Sequence, residues 1–207
     1  MADDCCAGKG EELERLAQQA DQRRVLQIVL VINAAMFLAE FGAGLVAGST
    51  SLMADSVDML GDALVYGLSI SAISRSARWK GVAAFAKGTF ILIFGIGILI
   101  DIAAKIHIGI PPSSDLMLIF GGIALTANLI CLRLLSRFRA HDVNMASTFE
   151  CSRNDVISNV GVLLAAGVVA LTASRWPDIM VGGIIAVLFL KSALHVIRTS
   201  LPVMRAV

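Results

Sequence analysis

Two pairs of ionisable side chains, each pair four residues apart, lie within hydrophobic stretches of this chain. Asp58 and Asp62 form the first pair, and Cys151 and Asp155 form the second. Residues four apart share one face of an α-helix, so each pair can direct two ligands to one point. Carboxylates and thiolates bind divalent metals, and four such ligands suit a tetrahedral ion such as Zn²⁺. Because ionisable groups at membrane depth are costly and usually mark an ion pathway, the pattern predicts metal transport.

The composition predicts an integral membrane protein rather than a soluble domain. Hydrophobic residues make up 57% of the 207 residues and charged residues only 16%, an unusually apolar balance. The net charge of +1 and the lack of a basic, aromatic-rich patch give no reason to expect a nucleic-acid partner. The four cysteines are divided between a polar tail and apolar stretches, so we expect no disulfide framework.

Six apolar runs approach the length of about 20 residues that a membrane-spanning helix needs. We therefore predict an all-α membrane protein with six transmembrane helices. The predicted spans are Val25–Ala47, Ser51–Ile73, Val82–Ala104, Leu116–Leu135, Met145–Ala173 and Ile179–Ile197.

Basic residues in the connections predict the orientation. Arg75, Arg78 and Lys80 follow the second span, and Arg137 and Arg139 follow the fourth. The positive-inside rule places these two connections in the cytoplasm. With six spans, both termini are then cytoplasmic as well.

The domain organisation follows from the spans. We predict a cytoplasmic N-terminal tail with a short helix over residues 1–24, a six-helix transmembrane domain over 25–197 and a short cytoplasmic tail over 198–207. A signal peptide is not expected, because the first residues are polar. Cys5 and Cys6 in the tail either capture soft metal ions or belong to a disordered segment.

Further polar residues extend the two pairs along their helices. Asp55 and Tyr66 continue the first pair into a polar stripe, and Asn159 continues the second. Such a stripe can also serve helix packing, but three carboxylates exceed that need because each costs about 2.5–3.5 kcal/mol to insert. A lone cysteine is usually a small buried apolar residue, and only the neighbouring Asp155 favours Cys151 as a ligand.

Other polar residues in the spans have less specific interpretations. Glu40 is either a proton relay or a hydrogen-bonding residue between helices. Asn128 and Lys191 are expected to be structural. Lys87 and Asp101 lie toward the ends of their predicted spans, where charged side chains can reach the lipid headgroups.

Three runs of the chain resemble the cation diffusion facilitator family. The run GSTSLMADSVDMLGDAL resembles the family's second-helix signature, in which an Ala-Asp is followed by [His/Asp]-x-x-x-Asp. The run CSRNDVISNVGV resembles the fifth-helix signature, which is usually His-x-x-x-Asp. The run WPDIMVGGIIAVLFLKSAL resembles the family's sixth helix, which opens with an Asp, here Asp178. The resemblance covers roughly residues 25–200.

The resemblance implies proton-coupled efflux of a divalent transition metal from the cytoplasm by alternating access. It also implies a multi-pass cell-membrane protein, a homodimer, protons as counter-ion, and no enzymatic activity, catalytic residue or resident cofactor. The expected substrate is Zn²⁺, with Cd²⁺ or Co²⁺ as further candidates. The small size and short connections point to a bacterial inner membrane.

Two departures from the family pattern affect these expectations. Cys151 stands where the family usually has histidine, and the softer thiolate favours Zn²⁺ and Cd²⁺ over Mn²⁺ and Mg²⁺. The family's C-terminal metal-sensing domain is not recognised, so we expect dimerisation through the membrane helices. Gly44 and Gly48 have the spacing for a close helix contact, either between protomers or within one.

The expected site binds one metal between the second and fifth helices through Asp58, Asp62, Cys151 and Asp155. Metal binding requires deprotonated ligands. Without the metal, desolvation and like-charge repulsion favour protonation, so metal and protons alternate at the site. Asp55 and Glu40 are candidates for proton access.

Two other functions compete with transport. A non-transporting membrane metal-binding or partner protein is one alternative, although a pure scaffold does not need four ionisable groups. An intramembrane aspartyl protease is disfavoured, because its two aspartates come from separate helices, whereas Asp58 and Asp62 share one.

Overall fold

The chain is a bundle of six α-helices in the described ranges. The computed structural model describes the backbone of residues 2–71, 77–138 and 143–205, and the side chains of 20–67, 79, 81–107, 109–138 and 149–202. The helices are α1 (Ala2–Ala47), α2 (Thr50–Ser71), α3 (Ala77–Ile108), α4 (Ser114–Ser136), α5 (Val143–Thr172) and α6 (Trp176–Arg205).

Some sequence-based expectations concern side chains outside the described residues. The metal-capturing role of the N-terminal cysteines and most of the basic residues behind the predicted orientation therefore stay predictions. These residues are Cys5, Cys6, Arg75, Arg78, Lys80 and Arg139.

Five helices contain segments long and apolar enough to cross a membrane, judged by length and composition over the described residues. They are Ala20–Ala47, Gly81–His107, Ser114–Ser136, Phe149–Thr172 and Trp176–Pro202. Large apolar side chains cover their outer faces, with Leu38 exposed by 72% and Leu171 by 88%. Water does not favour so continuous an apolar surface, whereas lipid does. The chain is therefore a multi-pass membrane protein.

Helix α2 coincides with the predicted second span but differs from the other five helices. Its three aspartates make it too polar to count as a span by composition. Residues 51–57 are all buried, and none of its described side chains is an exposed large hydrophobic residue. The helix contacts α1, α3, α5 and α6, which shield it from lipid. This interior position explains how acidic residues are tolerated at membrane depth.

Two glycines allow α1 to turn tightly into α2. Gly48 has a φ of +66°, a conformation that glycine adopts without strain. A Cβ on Gly44 would lie 2.7 Å from Cγ of Met53, so α2 packs directly on this point of α1. Gly44 thus makes a close helix contact within the protomer, whereas a Cβ on Gly48 would meet nothing within 4 Å.

The first turn of α2 is capped by a carboxylate from another helix. Asp178 in the first turn of α6 accepts hydrogen bonds from Oγ of Ser49 at 2.7 Å and from the backbone N–H of Ser51 at 3.0 Å. It also accepts one from the backbone N–H of Thr50 at 2.8 Å. These N–H groups have no partner within α2, and the negative charge is favoured by the positive end of the helix dipole.

A second contact joins the same turn to α3. Oγ1 of Thr50 donates to Asp101 at 2.8 Å and accepts from Nζ of Lys105 at 2.9 Å. Asp101 and Lys105 also form an ion pair of 2.6 Å. The expectation that Asp101 reaches the lipid headgroups is wrong, because its carboxylate is held by these two partners. We call the set formed by Ser49, Thr50, Ser51, Asp101, Lys105 and Asp178 the polar clamp.

Candidate metal site

Both predicted ligand pairs line a single cavity between α2, α3, α5 and α6. The cavity has a volume of about 310 Å³ and includes Asp58 and Asp62 from α2 and Cys151 and Asp155 from α5 in its lining. Each pair lies on one face of its helix, as the spacing of four requires. The two pairs come from separate helices, and their side chains line the walls of one cavity.

Three carboxyl groups belong to this lining. Asp58 and Asp62 are electrostatic neighbours of Asp155. Tyr66, one turn after Asp62, donates a hydrogen bond of 2.7 Å to its carboxylate. Asp62 and Asp155 are buried, whereas Asp58 is half-buried. The hydroxyl of Tyr66 therefore fixes the orientation of the Asp62 carboxylate.

Cys151 occupies the exposed edge of the cavity. Among the described side chains, no group of three or more His, Cys, Asp or Glu residues has the spacing to hold a metal ion. A tetrahedral site built from the two pairs thus requires a rearrangement that draws the cavity walls together. The assignment of the four ligands stays a prediction.

Lys87 brings a positive charge to the same cavity. It lies on α3 one turn before Ile91, and both residues line the cavity. Its electrostatic neighbours include Asp62, Asp58 and Cys151. The expectation that Lys87 reaches the lipid headgroups is wrong. Ile91 and Ile98, four and eleven residues later, share a helix face with Lys87, and both are buried. This spacing could have predicted from the sequence that Lys87 lies on the side of α3 that faces the bundle.

A second polar network lies beside the cavity. Nδ2 of Asn159 donates a hydrogen bond to Asp55, and Asn128 on α4 donates one of 3.0 Å to Oδ1 of Asn159. Glu40 on α1 is completely buried, and its oxygens accept no hydrogen bond from a described donor. Asp55 is its acidic neighbour. Neither carboxyl group is part of the described cavity lining.

The cavity is displaced toward one side of the bundle. Its α3 and α5 residues come mainly from the first halves of those helices, around Lys87 and Cys151, and its α6 residues lie near the middle of that helix, from Ile185 to Ser192. These halves lie toward the α2–α3 and α4–α5 connections, and Cys151 and Ser192 are exposed there. The polar clamp joins the helix ends on the opposite side, which the α1–α2, α3–α4 and α5–α6 connections occupy. The cavity thus opens on the α2–α3 side.

Comparisons with known proteins find similarity over most of this chain. The family model described as the cation efflux transmembrane domain matches residues 26–204. The metal cation efflux system protein CzcD of Cupriavidus metallidurans is 26% identical over 202 residues, covering 86% of this chain and 63% of the relative.

Two further relatives show the same coverage. The zinc transporter ZitB of Escherichia coli is 24% identical over 198 residues, covering 89% of this chain and 63% of its own length. The cadmium, cobalt and zinc/H⁺–K⁺ antiporter of Bacillus velezensis is 20% identical over 196 residues, covering 88% and 63%. The chain thus spans less than two thirds of the length of these curated relatives.

Proposed function

The chain belongs to the cation efflux family, and we propose that it exports a divalent transition metal from the cytoplasm in exchange for protons. The observation that carries the proposal is the single cavity lined by both ligand pairs. The names of the relatives support metal efflux, and one of them is named as an antiporter of cadmium, cobalt and zinc. We propose Zn²⁺ as the substrate, with Cd²⁺ and Co²⁺ as further candidates.

Asp58, Asp62, Cys151 and Asp155 are the proposed ligands of the transported ion. Three carboxylates and a thiolate provide the four donors of a tetrahedral site, and the thiolate favours a soft ion. The ligands bind metal only when deprotonated, so protons and metal compete for the same groups. This competition couples the movement of metal in one direction to the movement of protons in the other.

The proposed orientation makes this structure an inward-facing state. If both termini and the α2–α3 connection are cytoplasmic, the cavity opens to the cytoplasm of a bacterial cell and the polar clamp closes the periplasmic side. Transport by alternating access then requires the clamp to separate from α2 and the cavity walls to close behind the metal. The rearrangement that the four ligands need is part of that closure.

The remaining parts of the proposal concern protons and assembly. Glu40 and Asp55 are adjacent carboxyl groups outside the cavity lining, which suits a proton relay rather than a metal ligand. We further propose a homodimer formed through the membrane helices. The transport cycle includes no bond-making step, so neither a catalytic residue nor a resident cofactor is required.

The test is Zn²⁺ flux into proteoliposomes that carry a pH gradient, comparing wild type with Asp155→Asn. Wild-type flux should follow the size of the gradient, and Asp155→Asn should lower it by roughly a hundredfold because a buried charged ligand is lost. Asp115→Asn is the matched control, since Asp115 is exposed on α4 outside the described cavity lining.

Two outcomes would contradict the proposal in different ways. Flux that is independent of the gradient would reject proton antiport but keep metal transport. Zn²⁺ binding without any flux would favour the alternative of a non-transporting metal-binding or partner protein.

A further inference from the structure

Lys87 is the cationic side chain among the described residues that line the proposed metal cavity. The cavity also contains the carboxyl groups of Asp58, Asp62 and Asp155. A lysine is costly in the interior of a membrane protein and is retained there only with compensating charges. The three aspartates of the lining provide such charges.

Lys87 is not committed to a separate structural ion pair. It forms no ion pair with a described acidic side chain, whereas Lys105 on the same helix is paired with Asp101 at 2.6 Å. Lys87 therefore faces the acidic cavity as a whole rather than one partner.

Close helix packing fixes the position of Lys87. A Cβ on the adjacent Gly88 would lie 2.8 Å from Cγ1 of Ile197 and 3.2 Å from the carbonyl oxygen of Ala193. Helix α3 thus lies directly against α6 at this point. Because Ile91, one turn later, is buried in the same cavity wall, rotation of α3 cannot turn Lys87 toward the lipid without breaking both contacts.

We propose that Lys87 is a built-in counter-cation that competes electrostatically with the transported metal for the cavity carboxylates. This inference rests on the proposed function. In the metal-free cavity the ammonium group balances part of the negative charge. When a divalent cation enters, the ammonium group repels it and competes with it for the same carboxylates. The metal therefore binds more weakly and leaves more readily. Lys87 is therefore an affinity-setting residue and not a ligand.

The size of the effect follows from Coulomb's law. A unit charge acting on a divalent ion across a cavity of this size, with water on one side, is strong enough to change affinity by roughly tenfold or more. The sign is opposite to that of losing a ligand. Removing Lys87 should tighten metal binding, whereas removing Asp155 should weaken it.

The experiment is calorimetric titration of the detergent-solubilised full chain with Zn²⁺ at constant pH. Lys87→Met and Lys87→Gln remove the charge and should each lower the Kd for Zn²⁺ at least roughly tenfold. Lys87→Arg keeps the charge and should stay within about threefold of wild type. Lys191→Met, at an exposed lysine of α6 outside the described cavity lining, should leave the Kd unchanged.

The Arg variant and the direction of the change separate this role from a structural one, since a damaged fold weakens binding. Unchanged or weaker Zn²⁺ binding in Lys87→Met and Lys87→Gln would overturn the inference. If Asp155→Asn at the same time abolishes binding, the proposed function survives. A wild-type chain that binds no Zn²⁺ would reject the proposed site, and the role of Lys87 with it.

Discussion

Cys151 brings a thiol to a cavity whose other proposed ligands are carboxyl groups. Thiolates prefer soft ions, so this residue should decide how well Cd²⁺ competes with Zn²⁺. We predict that Cys151→His keeps Zn²⁺ transport and lowers the Cd²⁺ to Zn²⁺ ratio severalfold, because imidazole still binds Zn²⁺ but is a harder donor. Competition flux with both ions in the same proteoliposomes measures that ratio.

Cys131 provides the control for Cys151. It is also a free cysteine, but it is buried and lies 3.9 Å from Nδ2 of Asn33 outside the described cavity lining. Cys131→Ala should keep the wild-type ratio. Equal ratios in wild type and Cys151→His would remove Cys151 from the proposed ligands and leave the three aspartates.

The sequence predicted which proposed ligands share a helix face better than it predicted the direction of the isolated charges. Asp58 and Asp62 had to share a helix face, because that relation is local. The direction of Lys87 and Asp101 depends on which neighbours surround α3, and span position alone suggested lipid headgroups for both. The structure instead turns one into the cavity and the other to Thr50.

At the scale of the helices, hydropathy located α2, α4 and α5 to within two residues at each end. Helices α1, α3 and α6 extend beyond their apolar runs, and α1 begins at Ala2 rather than at Val25. Hydropathy could not show that α2 is enclosed by its neighbours, because a polar stripe looks the same on a central helix as on one facing a partner. The clamp that holds its first turn was also hidden. Asp178 and Ser49 are 129 residues apart in sequence and meet only in the folded bundle.

Close contact between α6 and α2 gives a prediction about Gly182. A Cβ at this position would lie 2.8 Å from Cγ2 of Thr50 and 2.9 Å from the backbone nitrogen of Ser51. Backbone atoms held by Asp178 cannot move aside easily, so Gly182→Ala should destabilise the chain by about 1–3 kcal/mol through overpacking. The melting temperature in detergent measures this loss.

Gly183 is the matched control for Gly182, since it has the same residue type, helix and intrinsic propensity. A Cβ at Gly183 would meet only Cδ1 of Ile102 at 3.7 Å, an ordinary contact. Gly183→Ala should therefore leave the melting temperature close to that of wild type. Equal melting temperatures for the two variants would show that the clamp does not hold α6 tightly against α2.

At the scale of the whole molecule, the two sides of the bundle differ in the groups that they would present to a transported ion. The polar clamp closes one side with charged and hydroxyl groups that already bind one another. The other side presents the cavity, with Cys151 exposed at its edge. This asymmetry is what one state of an alternating-access cycle requires, and its direction can be measured with the native thiol.

We predict that a membrane-impermeant maleimide modifies Cys151 in inside-out vesicles but not in right-side-out ones. The measurement uses a chain carrying Cys5→Ser and Cys6→Ser, in which adding Cys151→Ser should abolish labelling because Cys131 is buried. Zn²⁺ should slow the modification roughly tenfold by binding the thiolate, and Asp155→Asn should remove that protection.

Labelling confined to right-side-out vesicles would reverse the proposed orientation. Labelling from the inside without protection by Zn²⁺ would keep the orientation but exclude Cys151 as a metal ligand.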